Sequence, residues 1–113
     1  MKLTPVSKVE AKVIHSLWRQ AERYDYASRQ DKSLLVAARH NGYAVALIDA
    51  LRDNFTEAEV KEVTGNSLRE KRSEILEQQD KLDYLFIRME EQFKEMGMAL
   101  PQNPETIYHD HEG

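Results

Sequence analysis

Cysteine is absent from the 113-residue chain, which excludes disulfide bonds, zinc sites built on thiolates and catalytic cysteine nucleophiles. No glycine-rich loop of the kind that binds phosphates occurs, and no serine lies in a context typical of a nucleophile. The opening residues, MKLTPVSK, contain no apolar run that could serve as a signal peptide, so we expect a cytoplasmic protein. We therefore expect a protein without catalysis and without a cofactor or metal.

An excess of basic charge is also missing. Sixteen lysines and arginines stand against twenty acidic residues, a net charge of −4, which gives no general attraction to nucleic acid or anionic lipid. The charge is uneven, however: residues 1–55 carry nine basic and six acidic groups (+3), and residues 56–113 carry seven and fourteen (−7). Such asymmetry is typical of halves that contact each other, within one chain or between two chains.

The most apolar run, residues 33–51 (SLLVAARHNGYAVALIDAL), is too polar to lie in a bilayer. Arg39 and Asp49 would each cost at least ~2.5 kcal/mol at mid-membrane. At about 100° per residue, the apolar side chains of this run point in every direction, which is typical of a helix buried in a core. We expect other helices to surround it. We also expect it to continue through Gly42, although Gly42 could instead end a first helix after Asn41.

The first helix is predicted to begin at Thr4-Pro5, with a capping box at Ser7 and Glu10 as the alternative start. Its apolar stripe consists of Val6, Val13, Leu17, Ala21 and Tyr24, widened by Ile14 and Trp18. Five cationic or potentially cationic residues share the opposite face, within an arc of about 80°: Lys8, Lys12, His15, Arg19 and Arg23. This basic face is either a solvated surface or a surface that binds an anion or a partner.

Capping boxes at Thr56 and Ser67 predict a short helix that ends at Thr64-Gly65 and a long last helix. The last helix carries the seven-residue repeat of a coiled-coil seam. Its seam residues are Leu68, Arg72, Ile75, Gln79, Leu82, Phe86, Met89 and Phe93, followed by Met96. We expect residues 82–96 to pack in the domain core, and residues 67–80 to project or to meet a partner helix.

The predicted fold is an all-α bundle of three long helices and one short helix, in a single domain of residues 1–97. Residues 98–113 contain two prolines and no periodicity, which predicts an extended or disordered tail. The apolar central helix, the seam and the opposite charges of the two halves favour a non-catalytic interaction or regulatory protein. We expect it to form a homodimer, to bind a further protein partner and not to associate with membranes.

One alternative is a helix-turn-helix regulator that binds DNA. Residues 56–77 supply a short helix, a turn at Gly65-Asn66 and a second helix whose first residues include Arg69, Lys71 and Arg72. These three cations could contact phosphates or base edges. Lys61, however, stands where a small residue normally lets the two helices cross.

A second alternative is a magnesium-dependent enzyme. Glu59 and Glu62 form one ExxE pair, and Glu77 and Asp80 form an ExxD pair further along the chain. This arrangement is similar to the ExxE…ExxD pattern of the all-α nucleoside triphosphate pyrophosphohydrolases. The resemblance covers about twenty residues and implies Mg²⁺ held by carboxylate oxygens.

Overall fold

A computed structural model describes residues 6–97 of the chain. The predicted helix start at Thr4-Pro5 and the predicted tail of residues 98–113 lie outside the described residues. The described part consists of α1 (Lys8–Gln30), α2 (Leu34–Asn54), α3 (Glu57–Thr64) and α4 (Leu68–Glu95). The predicted all-α bundle of three long helices and one short helix is confirmed. No helix within residues 6–97 has both the length and the apolar character that a membrane span requires.

α1 begins at the alternative start. The Ser7 hydroxyl accepts a hydrogen bond from the Glu10 amide at 3.1 Å, and the Glu10 carboxylate accepts one from the Ser7 amide at 3.2 Å. The buried stripe of α1 is Ile14, Trp18, Ala21, Asp25 and Ser28. Val13, which was predicted to lie in the stripe, is 43% exposed. The buried face of α1 is centred on Ile14 and Trp18 and not on Val13. Burying these two larger side chains removes more apolar surface from water.

α2 is continuous through Gly42, where a Cβ atom would meet no other atom within 4 Å. Its fully buried residues form one stripe: Ala37, Asn41, Ala44, Ile48 and Leu51. The expectation that other helices surround α2 is wrong for the single chain, since Tyr43 and Ala46 on the opposite side are exposed. The helices packed on α2 are α1 and α4, and two neighbours leave part of its circumference open.

Both ends of α3 and the start of α4 lie at the predicted capping residues. Thr56 and Glu59 form a complete capping box, and the Ser67 hydroxyl accepts from the Glu70 amide at 3.2 Å. Gly65 ends α3 with φ +76°, in the left-handed region where a side chain is strained. The turn between α3 and α4 directs α4 back along the bundle.

α1 and α2 form an antiparallel hairpin, named here the α1–α2 hairpin, which is closed by residues 31–33. α4 contacts both helices: Asn41 Nδ2 donates to the Ile75 carbonyl at 3.1 Å, and Gln78 Nε2 donates to the Ser28 carbonyl at 3.3 Å. α3 closes the other end of the bundle, where its Val60 is fully buried. The apolar core comprises Ile14, Trp18, Ala21, Ala44, Ile48, Leu51, Val60, Leu68 and Ile75.

The two halves of α4 lie in the reverse of the predicted order. Residues 67–80, expected to project or to meet a partner, supply buried Leu68, Ile75 and Gln78 to the bundle. Residues 82–96, expected in the core, have one buried residue, Leu82, at their start. This order follows from the lengths of the helices, since α4 has 28 residues whereas α2 has only 21. The short α3 fixes the start of α4 near the end of α2, so α4 extends past the hairpin.

Candidate interaction surface

The part of α4 beyond the hairpin carries an uncovered apolar surface. Residues 83–96 contain no fully buried side chain. The apolar side chains on one side of this segment are named here the projecting face: Leu85, Phe86, Met89, Phe93 and Met96. Leu85 is 49% exposed and Met96 is 68% exposed, while the other three are half-buried. Contiguous exposed apolar surface of this kind is typical of a protein interaction site.

The projecting face continues the face of α4 that packs on the hairpin. At about 100° per residue, its five side chains lie in the same arc of about 100° as Leu68, Ile75 and Leu82. Those three residues are buried beneath the α1–α2 hairpin. One apolar stripe therefore runs the whole length of α4, and the hairpin covers its first half.

A groove of about 770 Å³ lies where the closed end of the hairpin meets α4. Its apolar lining comprises Leu34, Ala37, Leu82, Leu85 and Met89. Its charged residues are Arg29, Lys32 and Arg88, with the single carboxylate of Asp31. Arg29 pairs with Asp25 of its own helix at 3.2 Å, so Lys32 and Arg88 supply the positive charge beside the apolar floor.

The predicted interface residues fall into two groups in the structure. Leu68, Ile75 and Leu82 are buried in the core of the chain itself. Arg72 Nε donates to Asp49 Oδ1 of α2 at 2.9 Å, and Gln79 is half-buried on the same part of α4. The remaining three, Phe86, Met89 and Phe93, lie on the projecting face. These three remain available to a partner.

The basic face of α1 is a second exposed surface. Lys8, Lys12, His15, Arg19 and Arg23 are all exposed. Within residues 6–97, none of the five forms an ion pair or a hydrogen bond through its side chain. The acidic C-terminal half of the same chain therefore does not neutralise this face in the described region.

Two of the three cations of the predicted helix-turn-helix are engaged within the bundle, while the Arg69 side chain is exposed. Arg72 pairs with Asp49, and Lys71 Nζ lies 3.7 Å from Glu22 Oε2 and 5.9 Å from the centre of the Trp18 ring. At the start of α4, the Arg69 amide donates to the Glu57 carboxylate at 3.1 Å. A carboxylate thus occupies the helix N-terminus that would otherwise attract a phosphate.

Two of the four carboxylates of the pyrophosphohydrolase-like pattern form other contacts. Glu59 accepts from the Thr56 amide at 2.8 Å, and Glu62 accepts from the Val6 amide at 3.1 Å. Glu77 and Asp80 are exposed on α4. In the described part of the chain, no group of three or more histidine or acidic side chains has the spacing to hold a metal ion.

Sequence reasoning missed the groove and several polar contacts between residues that the fold brings together. Asn41 is 2% exposed, and His40 Nδ1 lies 2.7 Å from Asp31 Oδ2. The Tyr24 ring packs against His40 with a centroid separation of 5.7 Å. Asn41 carried a usable signal, since a polar residue inside an apolar run needs a hydrogen-bond partner. The sequence contains no signal for the contact between Asp31 and His40, because only the closure of the hairpin brings these two residues together.

No family model matches the chain, and no curated protein and no solved structure matches it either.

Proposed function

We propose that this protein is a small non-catalytic interaction protein that self-associates as a homodimer through the projecting face. The supporting observation is the continuous apolar stripe of α4, of which the hairpin covers only the first half. A helix that is apolar along one side and uncovered there is typical of a helix that pairs with another helix. The dimer would bury Phe86, Met89 and Phe93, which are half-buried in the single chain.

A matched pair of aspartate substitutions tests this proposal. Phe86→Asp places a charge on the projecting face, and Ile87→Asp places one on the far side of the same turn, where Ile87 is 55% exposed. Losing a half-covered phenylalanine costs about 1–1.5 kcal/mol per copy. Because each dimer contains two copies, the binding free energy falls by about 2–3 kcal/mol, which raises the dissociation constant roughly 30-fold or more.

Sedimentation equilibrium measures the dissociation constants, and far-UV circular dichroism checks that each variant remains folded. We expect Phe86→Asp to be a folded monomer over the range in which the native protein and Ile87→Asp are dimers. Equal dissociation constants for the two variants would show that the projecting face is not the interface. A native protein that is monomeric at every concentration would remove the proposal altogether.

The basic face of α1 supports a second candidate function, which is binding to the phosphate backbone of nucleic acid. The supporting observation is that its four lysines and arginines are exposed and unpaired within residues 6–97, in one row with His15. Tyr26, 67% exposed, lies on the same face three residues after Arg23. An aromatic ring beside a row of cations is typical of surfaces that contact nucleic acid.

Binding to a random-sequence duplex at several salt concentrations tests this second function. If all four cations contact phosphates, the logarithm of the affinity falls with the logarithm of salt with a slope of about −3.6. Arg19→Glu should lower the affinity and reduce the slope by about 1, whereas Arg69→Glu should change neither. The opposite pattern would assign the binding to the helix-turn-helix segment, and no binding at low salt would exclude both.

A further inference from the structure

We infer that the groove beside the start of the projecting segment (residues 83–95 of α4) receives the end of α4 from a second copy of this chain, so that the two α4 helices pair antiparallel. This inference rests on the proposed self-association and adds its orientation. The groove of each copy would bind the end of α4 of the other copy. The contact would be a closed two-fold dimer, because the same surface serves both copies.

Steric exclusion by the hairpin favours the antiparallel orientation. The projecting face and the hairpin occupy the same side of α4, one above the other. In a parallel pair, the second copy would bring its own hairpin into the space that the first hairpin fills beside residues 68–82. In an antiparallel pair, the two hairpins lie at opposite ends of the dimer. Each hairpin covers α4 only up to the point where the other copy's α4 begins to pack.

The register follows from full overlap of the two projecting segments. Overlap of residues 83–95 with the same residues of a second copy places the two-fold axis at Met89. Phe86 then lies opposite Gln92 of the second copy, one residue from its Phe93, and Leu82, in the groove, lies opposite Met96. The apolar end of each α4 thereby covers the apolar floor of the other copy's groove.

The charges of the groove and of the end of α4 are complementary. The groove carries Lys32 and Arg88, together with Arg29 that pairs with Asp25 of its own helix at 3.2 Å, against one lining carboxylate, Asp31. Residues 90–95 of α4 carry three glutamates and one lysine, a net charge of −2. Lys94 Nζ pairs with Glu90 Oε1 at 3.3 Å, and Glu91 lies on the far side of α4 with Ile87. Glu95, at the end of the helix, has no ion pair in the described chain and would meet the cations of the groove. Opposite potentials favour this encounter and disfavour an acidic segment meeting its own copy side by side.

Single cysteines test the orientation, because the chain has none of its own. A disulfide requires Cα atoms about 4.4–6.8 Å apart. In the antiparallel register, Met89→Cys lies beside its own copy and should form a disulfide-linked dimer. Phe86→Cys alone and Phe93→Cys alone should not, but an equimolar mixture of these two variants should. Ile87→Cys, on the far side of α4, should remain unlinked in every combination.

The outcomes separate the orientation from the self-association itself. Crosslinking of Phe86→Cys and of Phe93→Cys, each with its own copy, would show a parallel pair and would overturn this inference while leaving the homodimer. No crosslink in any variant, from a native protein that sediments as a dimer, would place the interface elsewhere and overturn both statements. Circular dichroism of the reduced variants confirms that each chain is folded before oxidation.

Discussion

The two halves of α4 differ in burial, and a matched pair of alanine substitutions measures the difference. Ile75 is fully buried between α4 and the hairpin, whereas Ile87 is 55% exposed on the projecting segment. Ile75→Ala leaves a cavity in the core and should lower the free energy of unfolding by roughly 2–5 kcal/mol. Ile87→Ala removes little buried surface and should change it by less than about 0.5 kcal/mol. The better helix propensity of alanine acts in both variants alike.

Urea titration of dilute protein, where the chain is monomeric, gives these free energies. At an m-value of about 1.5 kcal/mol/M, the midpoint should fall by about 1.3–3.3 M for Ile75→Ala and by less than about 0.3 M for Ile87→Ala. Far-UV circular dichroism follows the helices, and the fluorescence of Trp18, which is 4% exposed, follows the core. The two signals should change together in a two-state transition.

Three results would be informative. Ile75→Ala that is already unfolded without urea agrees with the expected loss. Equal midpoints for the two variants would refute the placement of the core against the first half of α4. A larger loss for Ile87→Ala would support the arrangement in which residues 82–96 form the core.

Further substitutions test individual contacts by the same titration. Gly65→Ala should lower the free energy of unfolding by roughly 1–2 kcal/mol, because Gly65 has φ +76°. Gly42→Ala should raise it by roughly 0.5–1 kcal/mol, since a helical Cβ there meets open space. Asn41→Ala should lower it by roughly 1–3 kcal/mol, because it removes the 3.1 Å hydrogen bond to Ile75. Glu57→Ala should lower it by roughly 0.5–2 kcal/mol through the lost cap on Arg69. A change of opposite sign in any variant would contradict the contact on which it is based.

Local signals predicted the helices and several of their ends. Thr56 and Ser67 act as caps, Gly65 ends α3, and α2 runs through Gly42. These features depend on hydrogen bonds between residues close in sequence, so the sequence is sufficient to find them. The alternative start of α1 at Ser7 is of the same kind.

The packing of the helices could not be predicted in the same way. The seam of α4 shows which side of the helix is apolar but not which half meets the hairpin. That choice depends on the lengths of α2 and α3, which set how far α4 extends. The full apolar circumference of α2 was misleading for a related reason, since alanines such as Ala46 tolerate exposure and need no neighbour.

The candidate site was predicted in part. Phe86, Met89 and Phe93 were identified as seam residues and lie on the projecting face. The groove was not predicted, because Leu34 and Met89 are distant in sequence and meet only after the hairpin and α4 have packed. Its positive charge likewise combines Lys32, next to the closed end of the hairpin, with Arg88 of α4.

Amide hydrogen exchange of residues 83–95 at two protein concentrations tests the self-association most directly. Within residues 6–97 the α1–α2 hairpin leaves most of the projecting face uncovered, so these amides should exchange fast through local opening. Self-association through this face predicts that their exchange slows when the concentration is raised from well below to well above the dissociation constant, while amides around buried Ile48 do not change. Exchange of residues 83–95 that is equally fast at both concentrations would contradict pairing through α4.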